Sequence, residues 1–491
     1  MEEGIKLAKI MIQGTGSSVG KSVITAALLR IFHQDGYKVV PYKSQNMSNN
    51  SFVTVEGDEM GRAQVLQAYA AKVRPHCIMN PLLIKPSGDT NAQLIVNGKV
   101  AGNFSASEYD KMKPKFRKMI KEQIEELESQ YDIIVIEGAG SPAEINLRKN
   151  DIVNMGLATM MDCPVILVGD IDKGGVFASL YGTVKLLAAE EQDLIKGTII
   201  NKFRGDLNLL LPGIKQIEEL ISKENLGVIP YYYFELEEED GVAIYKREIT
   251  NAIDIAVIRL PHLSNHSDFE ALKYEEDVSV RFVTNANELG SPDILILPGS
   301  KNTIFDLEWI KEIGLFDKIN ELSNTTIFGL CGGYQMLGKE IFDELHIEGK
   351  TTYTKGFNKI PMKTEMEAKK VTVQVRGNLI NNTNTKIHGY EIHMGKSTFY
   401  EEVDSLFVMD NGKLEGYISE DEKTYGTYIH GVFDSPSYRQ FFLNSIRRKK
   451  GISEKESVDY ETIREENLDK LADIVRENVD IDKIYKIMGV R

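Results

Sequence analysis

The segment Gly14-Thr15-Gly16-Ser17-Ser18-Val19-Gly20-Lys21-Ser22 constrains this chain more than any other. It follows a short apolar run, Lys9–Ile12, and opens a helical pattern over Ser22–Gln34, so a strand must turn through a glycine-rich loop into a helix. Small residues at such a turn, Gly14, Gly16 and Gly20 among them, let backbone N–H groups close around phosphate oxygens, and the helix N-terminus adds a favourable dipole. Lys21 is then expected to reach the β- and γ-phosphates of ATP, and the Ser22 hydroxyl to ligate Mg²⁺. Strict Walker A spacing requires glycine at position 15, which is Thr15; counting from Gly14 makes the loop one residue longer.

That longer loop resembles the one in dethiobiotin synthetase and its relatives, which use ATP to phosphorylate a carboxylate. MinD/ParA-type switch ATPases share the fold but carry an early lysine where this chain has Gly16. Further apolar runs follow at Val39–Tyr42, Ile133–Ile136, Val165–Val168 and Thr198–Ile200. They are continuous rather than alternating, as in parallel strands covered on both faces, and helical stretches such as Lys115–Gln130 separate them. Glu137 closes the run Ile133–Ile136, and open α/β sheets build their sites at strand C-termini, so it is the expected carboxylate partner of Mg²⁺. Asp170 and Asp172 close the next run in the same way. Asn201-Lys202 follows the last one, where relatives of this fold recognise adenine.

Beyond the acidic stretch Phe234–Arg247, a second series of runs begins at Ile253–Ile258, Ile294–Leu297 and Thr326–Leu330. The third runs directly into Cys331-Gly332-Gly333 and a helical pattern. A nucleophile on so tight a turn exposes its sulfur, and the helix N-terminus beside it favours negative charge. Cys77 and Cys163 lack this setting and read as small buried hydrophobes. Gly299, in Pro298-Gly299-Ser300 at a strand end, can pair its N–H with that of Gly332 as an oxyanion hole. A base is required, and His430 ends a strand-like run, with His388 and His393 as alternatives on spacing alone.

With 491 residues the chain is expected to hold two to four domains: a phosphate-loop domain over 1–235, a linker over 236–250, a second α/β domain over 251–445 and surface helices over 446–491. The net charge of −15 argues against a partner made of nucleic acid or anionic lipid. Three cysteines without a CxxC pair fit neither a disulfide framework nor a zinc site, and with no signal peptide or spanning run the expected location is the cytoplasm.

Taken together the two halves resemble the cobyric acid synthases. The resemblance rests on KSQNMSNNSFVT (43–54), MGRAQVLQA (60–68), EGAGSPAEINL (137–147), NMGLA (154–158), GDIDKGGVFASL (169–180), NKFRGD (201–206), PGSKNT (298–303) and GYEIHMG (389–395). It implies a dethiobiotin-synthetase-like P-loop domain with a mostly parallel sheet, followed by a class I, triad-type glutamine amidotransferase α/β domain. It further implies ATP- and glutamine-dependent amidation of the b, d, e and g carboxylates of adenosylcobyrinic acid a,c-diamide, with Cys331 as nucleophile and His430 as catalytic histidine. Amidation of a related tetrapyrrole polycarboxylate such as cobyrinic acid is the alternative. Triad enzymes usually place Glu two residues after the histidine; here that residue is Val432, which leaves the third member missing or supplied elsewhere, with Glu391 as a candidate. Arg62, Lys85, Arg148 and Lys149 are candidate contacts for a polycarboxylate, each weighed against an ordinary solvated charge. Ammonia must pass between domains before it is protonated; neither that route nor the oligomeric state can be read from the sequence.

Overall fold

A computed structural model of the chain describes residues 8–86, 91–234, 236 and 252–490. The expected linker over 236–250 therefore lies outside the described residues apart from Leu236. In the first half the strands that bear on the site are β1 (Ala8–Gly14), β2 (Val39–Tyr42), a hairpin of β3 (Ser51–Val53) and β4 (Glu59–Gly61), then β5 (Ile133–Glu137), β6 (Val165–Asp170), β7 (Ile195–Phe203) and β8 (Asn225–Pro230). Six of them form a sheet in the order β8-β7-β6-β1-β5-β2 with every pairing parallel. Their central residues are buried because helices cover both faces, which is why the runs read as continuous. The register pairs Ile12 with Glu137 and Asp170 with Asn201, so the acids and Asn201 end their strands beside the phosphate loop.

The second half has β9 (Ile253–Ile258), β10 (Val278–Val283), β11 (Ile294–Leu297), β12 (Thr326–Leu330), a long antiparallel pair β13 (Met362–Leu379) and β14 (Asn382–Phe399), then β15 (Thr424–Thr427) and β16 (Ile429–His430). Its parallel sheet runs β10-β9-β11-β12-β15, with Tyr417–Ile418 antiparallel at the edge. β14 pairs with β16 through Tyr390↔His430 and Glu391↔Ile429, and this contact joins the hairpin to the end of the sheet.

Four helices position the sites: α1 (Lys21–Gln34), α2 (Arg62–Ala70), α3 (Gly332–Leu337) and α4 (Tyr460–Asn478). The closing helices lie at the surface with one face packed inward. Leu468, Leu471, Ala472 and Val475 of α4 are fully buried in the core that α1 and β1 build, so the chain returns to its first half. Burying one such leucine contributes about 1.5–3 kcal/mol. Arg30 of α1 adds an ion pair to Glu465 at 2.6 Å.

Candidate active sites

The phosphate loop turns between β1 and α1, with Ser18 (φ 58°) and Gly20 (φ 100°) in the left-handed region. Gly20 is required there twice over, since a Cβ would also lie 2.1 Å from Asn201 Nδ2. Lys21 is buried and folds back over the loop, donating to the carbonyls of Gly16 (2.9 Å) and Gly140 (3.1 Å). Ser22 Oγ donates to Glu137 Oε1 at 2.9 Å, so the two expected cation ligands are brought together. A hydroxyl and a carboxylate are hard oxygen donors of the kind Mg²⁺ takes alongside phosphate oxygens. Among the described residues there is no group of three or more His, Cys, Asp or Glu that could hold a metal ion by itself.

Glu137 has partners that sequence reading missed. Lys43 Nζ donates to its Oε1 at 2.9 Å in a fully buried ion pair, and Gln67 Nε2 of α2 donates to Oε2. Lys43 follows β2 as Glu137 ends β5, so its strand-end position was the available signal; Gln67 had none beyond its motif. Asn201 Nδ2 donates to the Val19 carbonyl at 3.0 Å, while its buried Oδ1 has no hydrogen-bond partner. Lys202 bridges the Ser18 carbonyl (2.7 Å) and Asp170 (2.9 Å), and Asp172 pairs with Arg204, so both aspartates serve the loop's surroundings.

In the second half, Cys331 sits alone between β12 and α3 at φ 49°, ψ −105°, a costly conformation for a residue with a side chain. It is held by its N–H donating to the Thr427 carbonyl at 2.9 Å and by the Gln335 N–H donating to its own carbonyl at 3.1 Å. Gly333 allows the elbow to close, because a Cβ there would lie 1.9 Å from the Leu297 carbonyl oxygen. The pairing Leu330↔Thr427 brings the end of β15 beside the elbow, and His430 follows three residues later. Gly299 and Gly332 border the pair: a Cβ on Gly299 would lie 3.2 Å from His430 Cε1, and one on Gly332 2.8 Å from the Ser300 amide.

His430 Nδ1 lies 2.7 Å from Asp268 Oδ2, and Asp268 Oδ1 accepts from the Gly431 N–H at 2.8 Å. Burial opposes charge on this imidazole, but the Asp268 carboxylate and neighbouring Cys331 outweigh it and push the pKa up to about 10. Asp268 therefore occupies the position for which Glu391 was a candidate. Glu391 lies on β14 with its side chain turned to His393 Nε2 (3.2 Å) and Lys413 (3.6 Å). His388 is exposed beside Ser435, and His393 stacks on Tyr428 with centroids 3.9 Å apart, so neither alternative histidine holds the His430 position.

The basic candidates divide. Arg62 and Lys85 are buried, contrary to a solvated reading, with Lys85 donating to Glu59 (2.7 Å) and Ser51 Oγ (2.8 Å). Arg148 is paired with Glu191, and Lys149 is exposed. Cys77 and Cys163 are buried, and burial pushes both thiols up, that of Cys77 to about 12, away from reactivity. No helix among the described residues is long and apolar enough to cross a membrane.

Comparison with known proteins adds to this geometry. Residues 10–239 match the CobQ/CobB/MinD/ParA nucleotide binding domain, and residues 254–438 match the CobB/CobQ-like glutamine amidotransferase domain. A cobyric acid synthase of Clostridium tetani is 55% identical over 492 residues, covering 99% of this chain and 100% of that one. Those of Clostridium botulinum (54%, covering 99% and 100%) and Clostridium acetobutylicum (53%, covering 99% of each) are similar.

Proposed function

Since this chain belongs to the cobyric acid synthase family, glutamine-dependent amidating ligases of cobalamin biosynthesis, we propose that it uses ATP and glutamine to convert the b, d, e and g carboxylates of adenosylcobyrinic acid a,c-diamide to carboxamides. The observation that carries this reading is the presence on one chain of two complete constellations, Lys21–Ser22–Glu137–Lys43 and Cys331–His430–Asp268.

At the second site, the Cys331 sulfur attacks the side-chain carbonyl carbon of glutamine while the N–H groups of Gly299 and Gly332 receive the oxyanion. His430, charged and held by Asp268, gives its proton to the leaving nitrogen, and the C–N bond breaks to release ammonia. The neutral imidazole then takes a proton from water, which attacks the thioester and releases glutamate. Asp268 keeps one tautomer and one ring orientation throughout.

At the first site, Lys21 and the loop N–H groups hold the ATP polyphosphate, and Asn201 Oδ1, buried with no partner, is suited to accept from the adenine amino group. Mg²⁺, when bound by Ser22 and Glu137, supplies charge neutralisation for transfer of the γ-phosphoryl group. A corrinoid carboxylate oxygen attacks that phosphorus and ADP departs; ammonia then displaces phosphate from the acyl phosphate and an amide forms.

Incubating the protein with Mg-ATP, glutamine and adenosylcobyrinic acid a,c-diamide, and following the corrinoid by mass spectrometry, tests the reading. Successive carboxyl-to-carboxamide conversions ending at the hexaamide are expected. An unchanged corrinoid, with cobyrinic acid amidated instead, overturns the substrate and keeps the chemistry.

A further inference from the structure

The loop after Gly299 carries Lys301, a turn beyond α3 carries Glu348, and both are drawn to the Cys331 elbow. A Cβ on Gly332 would lie 2.8 Å from the Ser300 amide and 3.3 Å from Thr303 Oγ1, so the segment 300–303 runs against the residue next to the cysteine. Thr303 opens the helix Thr303–Glu312; its N–H donates to Glu348 Oε2 at 2.6 Å, and its Oγ1 donates to Gln335 Oε1 at 3.2 Å. Buried Asp343 accepts from the N–H groups of Ile347 and Glu348 at 2.7 and 2.9 Å, which fixes the turn that bears the carboxylate. A Cβ on Gly349 would lie 3.5 Å from Asn302 Nδ2, so that turn lies beside the Lys301 loop.

Lys301 and Glu348 nevertheless do not close on each other. Among the described residues no ion pair within 4.0 Å joins them, and the Lys301 ammonium makes no hydrogen bond. Both keep some accessible surface although protein surrounds them, as side chains lining a hollow do. Burial lowers the pKa of Lys301, with Glu348 foremost among the charges that oppose the shift and Glu59 and Cys331 also near. Burial likewise pushes Glu348 up to about 7, against the pull of Lys301. Glu59 is already taken on both oxygens, by Lys85 at 2.7 Å and by Lys370 at 2.5 Å. Three ammonium groups therefore face two carboxylates here, and Lys301 is the one left without a close counter-charge. An enclosed charge of that kind favours a ligand that brings the opposite one.

We propose that Lys301 and Glu348 hold the amino-acid end of glutamine, Lys301 receiving its α-carboxylate and Glu348 its α-ammonium, and so restrict the Cys331 site to the free amino acid. The inference rests on the reading of Cys331 as the nucleophile. Two methylene groups separate the side-chain amide of glutamine from its α-carbon. With the amide carbon at the sulfur and its oxygen toward Gly299 and Gly332, the zwitterion falls where the 300–303 loop and the Glu348 turn meet. The excess of positive charge suits the carboxylate, and Glu348, oriented by Thr303 and Asp343 but not neutralised by them, suits the ammonium. Glutamine within a peptide chain has neither charge, and asparagine is one methylene too short to reach both.

Three amides test the assignment in the full chain with Mg-ATP present: glutamine, γ-aminobutyramide, which lacks the α-carboxylate, and glutaramate, which lacks the α-amino group. Measured by ammonia release, the wild type is expected to prefer glutamine to either analogue by about 10²-fold in kcat/KM, the scale of one charge-assisted contact made away from water. Lys301→Met lowers kcat/KM for glutamine and glutaramate by about 30-fold or more, and for γ-aminobutyramide by less than about threefold. Glu348→Gln lowers it for glutamine and γ-aminobutyramide and spares glutaramate to the same degree. Each variant thus abolishes one preference and keeps the other. A role in the fold alone lowers all three amides together and leaves both preferences standing; that result, or a preference lost in the wrong variant, overturns the proposal. If the wild type releases no ammonia from glutamine, the reading of Cys331 fails instead. Calorimetric titration of glutamine then still decides the pocket: affinity lower by about tenfold or more in each variant supports it, and affinity equal to wild type overturns it.

Discussion

The two halves each end a central parallel strand in a turn and start a helix from it, yet the turns offer opposite things. Between β1 and α1 the loop Thr15–Gly20 winds through two left-handed residues, and Lys21 is folded back over its carbonyls. What such a loop presents is a nest of backbone donors, suited to a ligand that brings its own charge. Between β12 and α3 there is one residue, and its strained backbone presents a single sulfur. A loop of small residues recruits the reacting group from solvent, whereas an elbow supplies it covalently. The length of the turn, with the same sheet geometry beneath it, separates the proposed phosphoryl-transfer site from the proposed acyl-transfer site.

The sharpest way to break the comparison is to remove the reacting group from one turn and leave the other intact. Cys331→Ala is expected to lower glutamine-driven amidation by at least about 10³-fold, while amidation from ammonium salts persists, because no neighbouring side chain can form the thioester. Paired assays with the two nitrogen sources check this; equal loss in both assigns Cys331 to the fold rather than the chemistry. The reciprocal variant, Lys21→Ala, is expected to cost about 10²–10³-fold in amidation from either source, the scale of losing one preorganised charge. Basal glutamate release by Lys21→Ala, without nucleotide, should stay close to wild type.

How far each turn was legible in the sequence follows from the same contrast. The loop and the elbow were both readable because each is a local string flanked by continuous apolar runs, and those runs are strands. The partners were less so. Lys43 sits at a strand end, where the rule that singled out Glu137 also applied. Asp268 gave no signal: it lies within Ser267-Asp268-Phe269, far from His430 in sequence, and only the closing of β9 and β16 around one site brings them together. The hairpin β13–β14 escaped because its strands are long, charged and mixed in burial, without the apolar continuity that marks a covered strand. In α4 the spacing Leu468, Leu471, Ala472, Val475 is a helical stripe, and its burial follows from that period rather than from the charges around it.

Asp268 and Glu391 sharpen the comparison at finer scale, since each is a buried carboxylate hydrogen-bonded to a histidine near Cys331 and only one of those histidines faces the sulfur. Asp268→Asn is expected to lower glutaminase kcat/KM by about 10²–10⁴-fold, since an amide neither fixes the tautomer nor balances the imidazolium. The pH profile carries the sign. With its pKa raised from 6.5 to about 10, His430 is charged through neutrality, and the stability this contributes is fully present below pH 6.5 and lost as pH climbs through 10. Removing the chief raising charge moves the alkaline limb of kcat/KM downward. Glu391→Gln leaves that limb in place and changes kcat/KM by less than about threefold, because its partners are His393 and Lys413 rather than His430. If instead Glu391→Gln moves the limb and Asp268→Asn does not, the third member of the site is Glu391, and the 2.7 Å contact between Asp268 and His430 serves the fold alone.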